Sequence, residues 1–332
     1  MVGIVSVKRA ATLRFLTLLC LVFCIAHGLH AQDAGDAEEL VVASVQFEVT
    51  EARYETLEEF QRTINGVLRQ ATRDPSVDLV VFPEYINVPL LFAEYRDVIA
   101  GSRSLERAVA DVLDRTEDAE SLPELIAQEA REDTPGILSM WRSLARQHGV
   151  AVIPGTFFVV PGDGAEGGGV RNRTMLIDAD GRIAYQQDKV YLTPFERDVL
   201  ALAPGDLRRA EPITLEGVSL GITICRDTYF ENWEAQFTGV DVWVDLRANG
   251  QTYTDEVRTR FAGTLPERVP GVGADAGVNA SLTGEYLDLV WQGPSYAVDE
   301  SGRRVAESPS PVGTSILRVE VPVVTPPAPA AP

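Results

Sequence analysis

Cysteine and histidine are scarce: 332 residues hold three of each. Cys20, Cys24, His27 and His30 fall within the first 31 residues, so only Cys225 and His148 remain beyond that segment. One cysteine cannot close an internal disulfide, and one histidine supports neither a histidine-based metal site nor a Cys–His dyad. Positive charge is short as well. Lys and Arg number 29 against 49 Asp and Glu, a net charge of −20. Such a surface repels phosphate backbones, so nucleic acid is not an expected partner, and solubility is the simplest use of the charge. Past the first 31 residues no apolar run is long enough to span a bilayer, and no repeat of solenoid period is visible.

What is present begins with a leader. Lys8, Arg9 and Arg14 precede an apolar stretch from Phe15 to Ala26, closed by His27-Gly28-Leu29-His30-Ala31. A basic start, a short apolar run and a small residue before an acidic segment describe a secretory signal peptide over residues 1–31. The alternative is an uncleaved tethering helix; neither Cys20 nor Cys24 has the small residues before it that lipid attachment wants. Cleavage would leave 26 basic and 49 acidic residues, a net of −23, in an exported protein, periplasmic or extracellular. In such a compartment an unpaired thiol is a liability unless it is buried or useful.

Residues 32–39 form an acidic leader. Leu40 to Phe47 reads as a strand, residues 52–72 as an amphipathic helix with Tyr54, Leu57, Phe60, Ile64, Val67 and Leu68 on one face, and Asp78 to Phe82 as a second strand. Residues 91–148 are helical by pattern, with breaks near Gly101, Leu122-Pro123 and Thr134-Pro135-Gly136. Val150 to Val160 is a strand, residues 161–169 a flexible loop, and Asp180-Gly181 joins a hairpin of Thr174–Asp178 and Arg182–Gln187. Residues 212–224 read as a strand pair, 227–238 as a short helix, 241–246 as a strand and 254–262 as a helix. Strands follow at 272–279, 289–298 and 314–321, and residues 322–332 are a disordered Pro/Ala-rich tail. Alternating elements followed by strands fit an α/β layered sandwich, with residues 40–321 one domain.

Three reactive side chains follow strand-like runs: Glu84 in Phe82-Pro83-Glu84, Lys189 in Lys189-Val190-Tyr191-Leu192-Thr193-Pro194-Phe195-Glu196, and Cys225 in Gly221-Ile222-Thr223-Ile224-Cys225-Arg226-Asp227. Singly each has an ordinary reading, as a solvated loop carboxylate, a solvated lysine or a small core residue. Together and in this order they resemble the three signature regions of the carbon–nitrogen hydrolase (nitrilase) superfamily. Asn172 with Asp180-Gly181 is similar to the hairpin before that family's lysine, and Asn279 with Trp291-Gln292-Gly293-Pro294-Ser295 to its closing strands. The resemblance covers roughly residues 40–321. It implies a four-layer α-β-β-α sandwich of the nitrilase type, usually paired as a homodimer.

Two departures stand out. Arg226 follows the cysteine where the family commonly has Tyr or Trp, and Arg268-Val269-Pro270-Gly271 replaces its usual Arg-Ala-x-Glu-Asn segment. Residues 92–135 are longer than the family's connection and read as a helical insertion. Asn172-Arg173-Thr174 and Asn279-Ala280-Ser281 match the glycan acceptor pattern but lie in structural segments.

The chemistry can be argued from the side chains. A neutral thiol is a poor nucleophile, so a site that cleaves an amide must take its proton. A carboxylate withdrawn from water, here Glu84, can serve as that base. The Lys189 ammonium and the Arg226 backbone N–H would stabilise the developing oxyanion. The resemblance adds Glu196 as a second glutamate orienting Glu84, against a plain reading in which it balances Arg197 at the surface. The Arg226 side chain could take a substrate carboxylate or pair with Asp227 or Glu231. The expected function is a metal- and cofactor-free thiol hydrolase of a non-peptide C–N bond in a small molecule, an amide before a nitrile. Amine N-acyl transfer on the same triad is an alternative. A non-catalytic binding protein that kept the fold is an alternative of another class.

Overall fold

In the computed structural model, which describes residues 2–6, 39–116, 119–162 and 168–322, two β-sheets lie face to face between two helical layers. The chain begins β1 (Val2–Ser6), β2 (Glu39–Val49), α1 (Leu57–Ala71), β3 (Leu79–Phe82), α2 (Arg96–Ile99), α3 (Leu105–Leu113), α4 (Leu122–Glu132), α5 (Thr134–His148). The first sheet is completed by β4 (Ala151–Pro154), β5 (Thr156–Val159), β6 (Arg171–Ile177) and β7 (Ile183–Asp188). The second half runs β8 (Ile213–Leu215), β9 (Val218–Ile224), α6 (Asn232–Gln236), β10 (Val242–Arg247), α7 (Asp255–Arg260), α8 (Leu265–Val272) and β11 (Ala276–Tyr286). It closes with β12 (Leu289–Trp291), β13 (Tyr296–Asp299), β14 (Arg304–Glu307) and β15 (Ser315–Pro322).

Period-two alternation builds the layers. On β2, Leu40 and Val42 face the second sheet, while Val41 and Ala43 face α1 and α5. On β10, Val242, Val244 and Leu246 meet the first sheet, and Trp243 turns outward to α6–α8. Strands covered on both faces need apolar residues at every position, which explains the unbroken runs in sequence. α1 presents Phe60, Ile64, Val67, Leu68 and Ala71 to the sheet, and the Thr56 side chain caps it by accepting from Glu59 N at 3.1 Å.

Within the first sheet β2, β3 and β4 are parallel neighbours, and within the second β9, β10 and β11 are. The sheets join where Leu282–Gly284 of β11 runs beside Phe47–Val49 of β2. Gly284 sits at φ +96°, and a Cβ there would stand 2.3 Å from Val49 O, so the seam closes only on glycine.

Several boundaries differ from expectation. The run 150–160 is two strands, cut at Gly155 (φ +71°), and 289–298 is also two, β12 and β13. The breaks expected near Leu122-Pro123 and Thr134-Pro135-Gly136 are present, and at each the proline stands in the first turn of the next helix, where its missing N–H is no loss. The strand expected from 272 starts at Ala276, since α8 occupies the segment before it. Pro270 and Gly271 disguise that helix, but Leu265, Val269 and Val272 share its buried face, and Arg268 pairs there with Glu234 and Glu267. The described part of the 92–135 segment forms α2, α3, α4, flanking turns and the start of α5.

The tail 323–332, most of the acidic leader, loop residues 163–167 and residues 7–31 lie outside the described residues. β1 falls inside the expected leader and runs parallel to β15, which itself pairs antiparallel with β2. A chain cut after residue 31 would leave that outer edge of β15 without β1. Among the described residues no helix is long and apolar enough to cross a membrane.

Candidate active site

Three chain segments converge just past the ends of β3, β7 and β9. β3 is buried along its whole length, and Pro83, lacking an N–H, ends its ladder and releases Glu84. The turn is pinned from below. Tyr85 N donates to Thr156 Oγ1 at 3.0 Å, and Asn87 Nδ2 donates to Pro154 O at 2.9 Å and Thr156 O at 3.0 Å. Trp141 on α5 donates from Nε1 to Asn87 Oδ1 at 2.7 Å, so the outer helix helps fix the Glu84 turn.

Lys189 follows β7, with its backbone N–H on Asn172 O at 2.8 Å across the hairpin. Its Nζ reaches Glu84 Oε1 at 2.7 Å and Glu196 Oε2 at 2.8 Å, with all three side chains almost fully buried. Asn172 Nδ2 donates to the same two carboxylates, at 2.9 Å to Glu84 and 3.1 Å to Glu196. Tyr85 OH donates to Glu196 Oε1 at 2.5 Å, and Thr193 donates to Glu196 Oε2 from N at 2.8 Å and Oγ1 at 2.9 Å. Glu196 is therefore no surface carboxylate, and Arg197 pairs with Asp198 instead. Both glycan-pattern asparagines, Asn172 and Asn279, are fully buried.

The electrostatics follow from burial. Desolvation pushes Glu84 up to about 7, against the pull of the Lys189 ammonium. Burial also works against the Lys189 charge, but Glu84 and Glu196 outweigh it and hold its pKa above the ordinary value. Glu196 feels desolvation too, yet Lys189 and its donors keep it below the usual carboxylate range. Two similar carboxylates are thus driven apart, one ionised and one poised near neutrality. Glu84 Oε2 is buried with no hydrogen-bond partner, which leaves it available for a proton.

Cys225 follows β9 at φ +52° and opens a tight turn, Cys225–Tyr229. A non-glycine residue held left-handed costs roughly 1–2 kcal/mol, and the conformation swings the side chain out of the strand's alternation. Burial raises the thiol pKa and the Glu84 charge adds to it, and Sγ donates to Ala248 O at 3.9 Å. His148 is bonded to Asn65, not to this sulfur.

Among the described residues Arg226 forms no ion pair, so the plain alternative of pairing with Asp227 or Glu231 is not what the fold builds. Asp227 is fully buried and accepts from Tyr191 N at 2.7 Å and Val190 N at 3.2 Å, gripping the residues that follow Lys189. Desolvation takes its carboxyl to about 7. Arg226 instead lies 5.7 Å over the Phe230 ring, itself stacked at 3.7 Å on Tyr191. Glu84, Lys189, Cys225 and Arg226 line one open cleft of about 690 Å³.

A profile of the carbon–nitrogen hydrolase family matches residues 41–325. The chain belongs to that family. Among solved structures, an amidase from Nesterenkonia sp. is similar at 20% identity and TM-score 0.62, over 87% of this chain and 92% of that one. A mutant of the Nesterenkonia sp. AN1 amidase in complex with butyramide matches at 19% identity and TM-score 0.61, over 86% and 92% of the two chains. Another mutant, showing Michael addition of acrylamide at its active-site cysteine, matches at 20% and 0.60, over 85% and 93%. At these identities the likeness is one of fold, the four-layer sandwich of the nitrilase superfamily. Comparison with curated protein sequences finds no match.

This carbon–nitrogen hydrolase adds features that no motif marks. Arg247, the last residue of β10, is 1% exposed and paired with the buried Asp245, and it lies 4.2 Å over the Phe261 ring on the cleft wall. Thr228 Oγ1 donates to Asp245 Oδ1 at 2.9 Å, and Asn279 Nδ2 to Asp245 Oδ2 at 3.3 Å, so Asp245 ties the Cys225 turn to β11. A sequence signal exists: Asp245 and Arg247 stand two apart in a buried run and share a face. The 92–135 insertion closes an apolar chamber against the body, and Tyr85, Phe195, Leu289 and Trp291 line both the chamber and the cleft.

Proposed function

We propose that the protein is an amidase that hydrolyses a small-molecule amide through a thioester on Cys225. The observation that carries this reading is the shared cleft. A thiol, a buried carboxyl poised near 7 with one free oxygen, and a buried ammonium line the same space.

The raised thiol pKa means that the sulfur is not a standing thiolate, so its proton must leave as it attacks. Glu84 takes that proton while sulfur bonds to the amide carbon. The oxyanion forms toward the Lys189 ammonium and the Arg226 N–H, where one donor of this kind is worth about 3–4 kcal/mol in the transition state. Glu84 then protonates the nitrogen, the C–N bond breaks, and ammonia or an amine departs. Glu84 next takes a proton from water, the hydroxide adds to the thioester, and the acid leaves as the proton returns to sulfur. Glu196, Asn172 and Tyr85 hold Lys189 and Glu84 in register throughout.

An amide panel read by product release and by intact mass tests the proposal. An acyl adduct on Cys225, lost in Cys225→Ala, together with release of ammonia or amine, is expected. Turnover of nitriles but not amides, or transfer to amines without hydrolysis, would replace the reading with one of its rivals on the same triad. No adduct and no turnover would favour a binding protein. Export and a homodimer belong to the same proposal, supported by the basic and apolar leader pattern and by the family resemblance. The mass of the mature chain, starting at residue 32, and light scattering test these two.

A further inference from the structure

The charge lining the cleft is opposite to that of the protein. In a chain of net charge −20, the cleft wall carries Lys189, Arg226, Arg247 and Arg260, and among the described residues Glu84 is its single carboxylate. Two of these cations are already answered: Lys189 by Glu84 and Glu196, and Arg247 by Asp245. The other two are not. Arg226 rests on the Phe230 ring, and Arg260 donates to the neutral Gln251 Oε1 at 2.7 Å. Neither is paired with a carboxylate among the described residues, whereas Arg62, Arg107, Arg182, Arg197, Arg303 and Arg304 each have such a partner.

Tyr229 connects the group. Its hydroxyl lies 3.5 Å from Arg247 Nη1, and the charges of Arg247 and Arg260 both act on it. The cationic wall therefore begins at the turn that carries Cys225 and extends to the end of α7. Cations of one sign gathered along a cleft concentrate anions, and a guanidinium offers a planar fork that matches a carboxylate.

We propose, building on the amidase reading, that the preferred substrate is an amide bearing a carboxylate, which Arg226 and Arg260 bind within the cleft while Cys225 attacks the amide carbon. Arg226 then serves twice, through its backbone N–H at the oxyanion and through its side chain at the distal anion. No further covalent step is implied.

The test compares matched pairs that differ in one charge: glutaramate and its methyl ester for a carboxylate on the acyl side, N-butyrylglycine and its methyl ester for one on the amine side. At least one acid should exceed its ester in kcat/KM by about tenfold or more, the size of one charge-assisted hydrogen bond. The ratio should shrink toward one in Arg226→Gln and in Arg260→Gln through KM. Arg226→Lys should restore part of it. Arg258→Gln, on the same helix but outside the cleft wall, should leave the ratio at its original value. Esters cleaved as well as both acids, with a Cys225 adduct observed, would overturn the anion proposal and leave the amidase reading standing. A ratio unchanged in both arginine variants would overturn it as well. Hydrolysis of none of the four compounds, with no adduct from any neutral amide, would overturn both.

Discussion

The pH dependence of turnover tests the poised state of Glu84 directly. In the proposed reaction the free enzyme must hold one proton between Glu84 and Cys225. With Glu84 near 7 and the thiol above its ordinary value, that state is reached as pH rises through about 7 and persists into the alkaline range. From pH 8 to pH 5 the competent fraction falls from about nine-tenths to about one-hundredth, roughly a ninetyfold loss in kcat/KM on an uncharged amide. An unshifted carboxyl near 4.5 would lose only about a quarter over the same interval. Stability separates this from acid unfolding. A carboxyl whose folded pKa is raised contributes stability that is complete below about 4.5 and lost as pH rises through about 7. Glu84, and Asp227 with the same sign, therefore favour the folded state where turnover vanishes. Glu196, lowered in the fold, acts oppositely, and its contribution fades only below the ordinary carboxylate range. Circular dichroism at pH 5 should show a folded protein. An activity midpoint near 4.5, or a flat profile between pH 5 and 8, would refute the reasoning.

Removing one carboxylate from the lysine's cradle should slow catalysis without unfolding. Glu196→Gln keeps the side chain's shape but gives up a charge-assisted bond of about 2 kcal/mol, roughly a thirtyfold loss in kcat at an unchanged circular dichroism spectrum. Asp227→Ala strands the Val190 and Tyr191 N–H groups at about 1–3 kcal/mol each. Its thermal midpoint should drop and turnover with it, because Lys189 adjoins the loosened turn, whereas Asp227→Asn, which keeps an acceptor, should recover most of the midpoint. Gly155→Ala would set a Cβ 2.1 Å from Pro83 O and 2.5 Å from Ile86 Cγ2 at φ +71°. Several kcal/mol of lost stability should appear in urea denaturation, since the clash is with backbone and not with a flexible tip.

The parts of this site that can be read in sequence are those announced by their own strand. Glu84 and Cys225 each end an apolar run, and a polar residue placed where such a run stops is held rigidly yet left reachable. The partners of those residues are another matter, because they depend on which strand ends the fold brings together. Arg226 stands beside Asp227 in sequence, and pairing them is the natural local reading. In the fold the two diverge, since Asp227 turns in to cap Val190 and Tyr191 while Arg226 turns out onto Phe230. Glu196 likewise gives up its neighbour Arg197 for Lys189 across the turn. Helix α8 and the split at Gly155 are hidden for a related reason: proline and glycine mark a change of direction, but only packing decides whether the chain breaks there. Asp245 and Arg247 show what a closer sequence reading can still recover. Burying a charge in an apolar strand is costly unless its counter-charge is near. Two opposite charges on one face of such a strand therefore point to a site that the fold builds on purpose, even before its location is known.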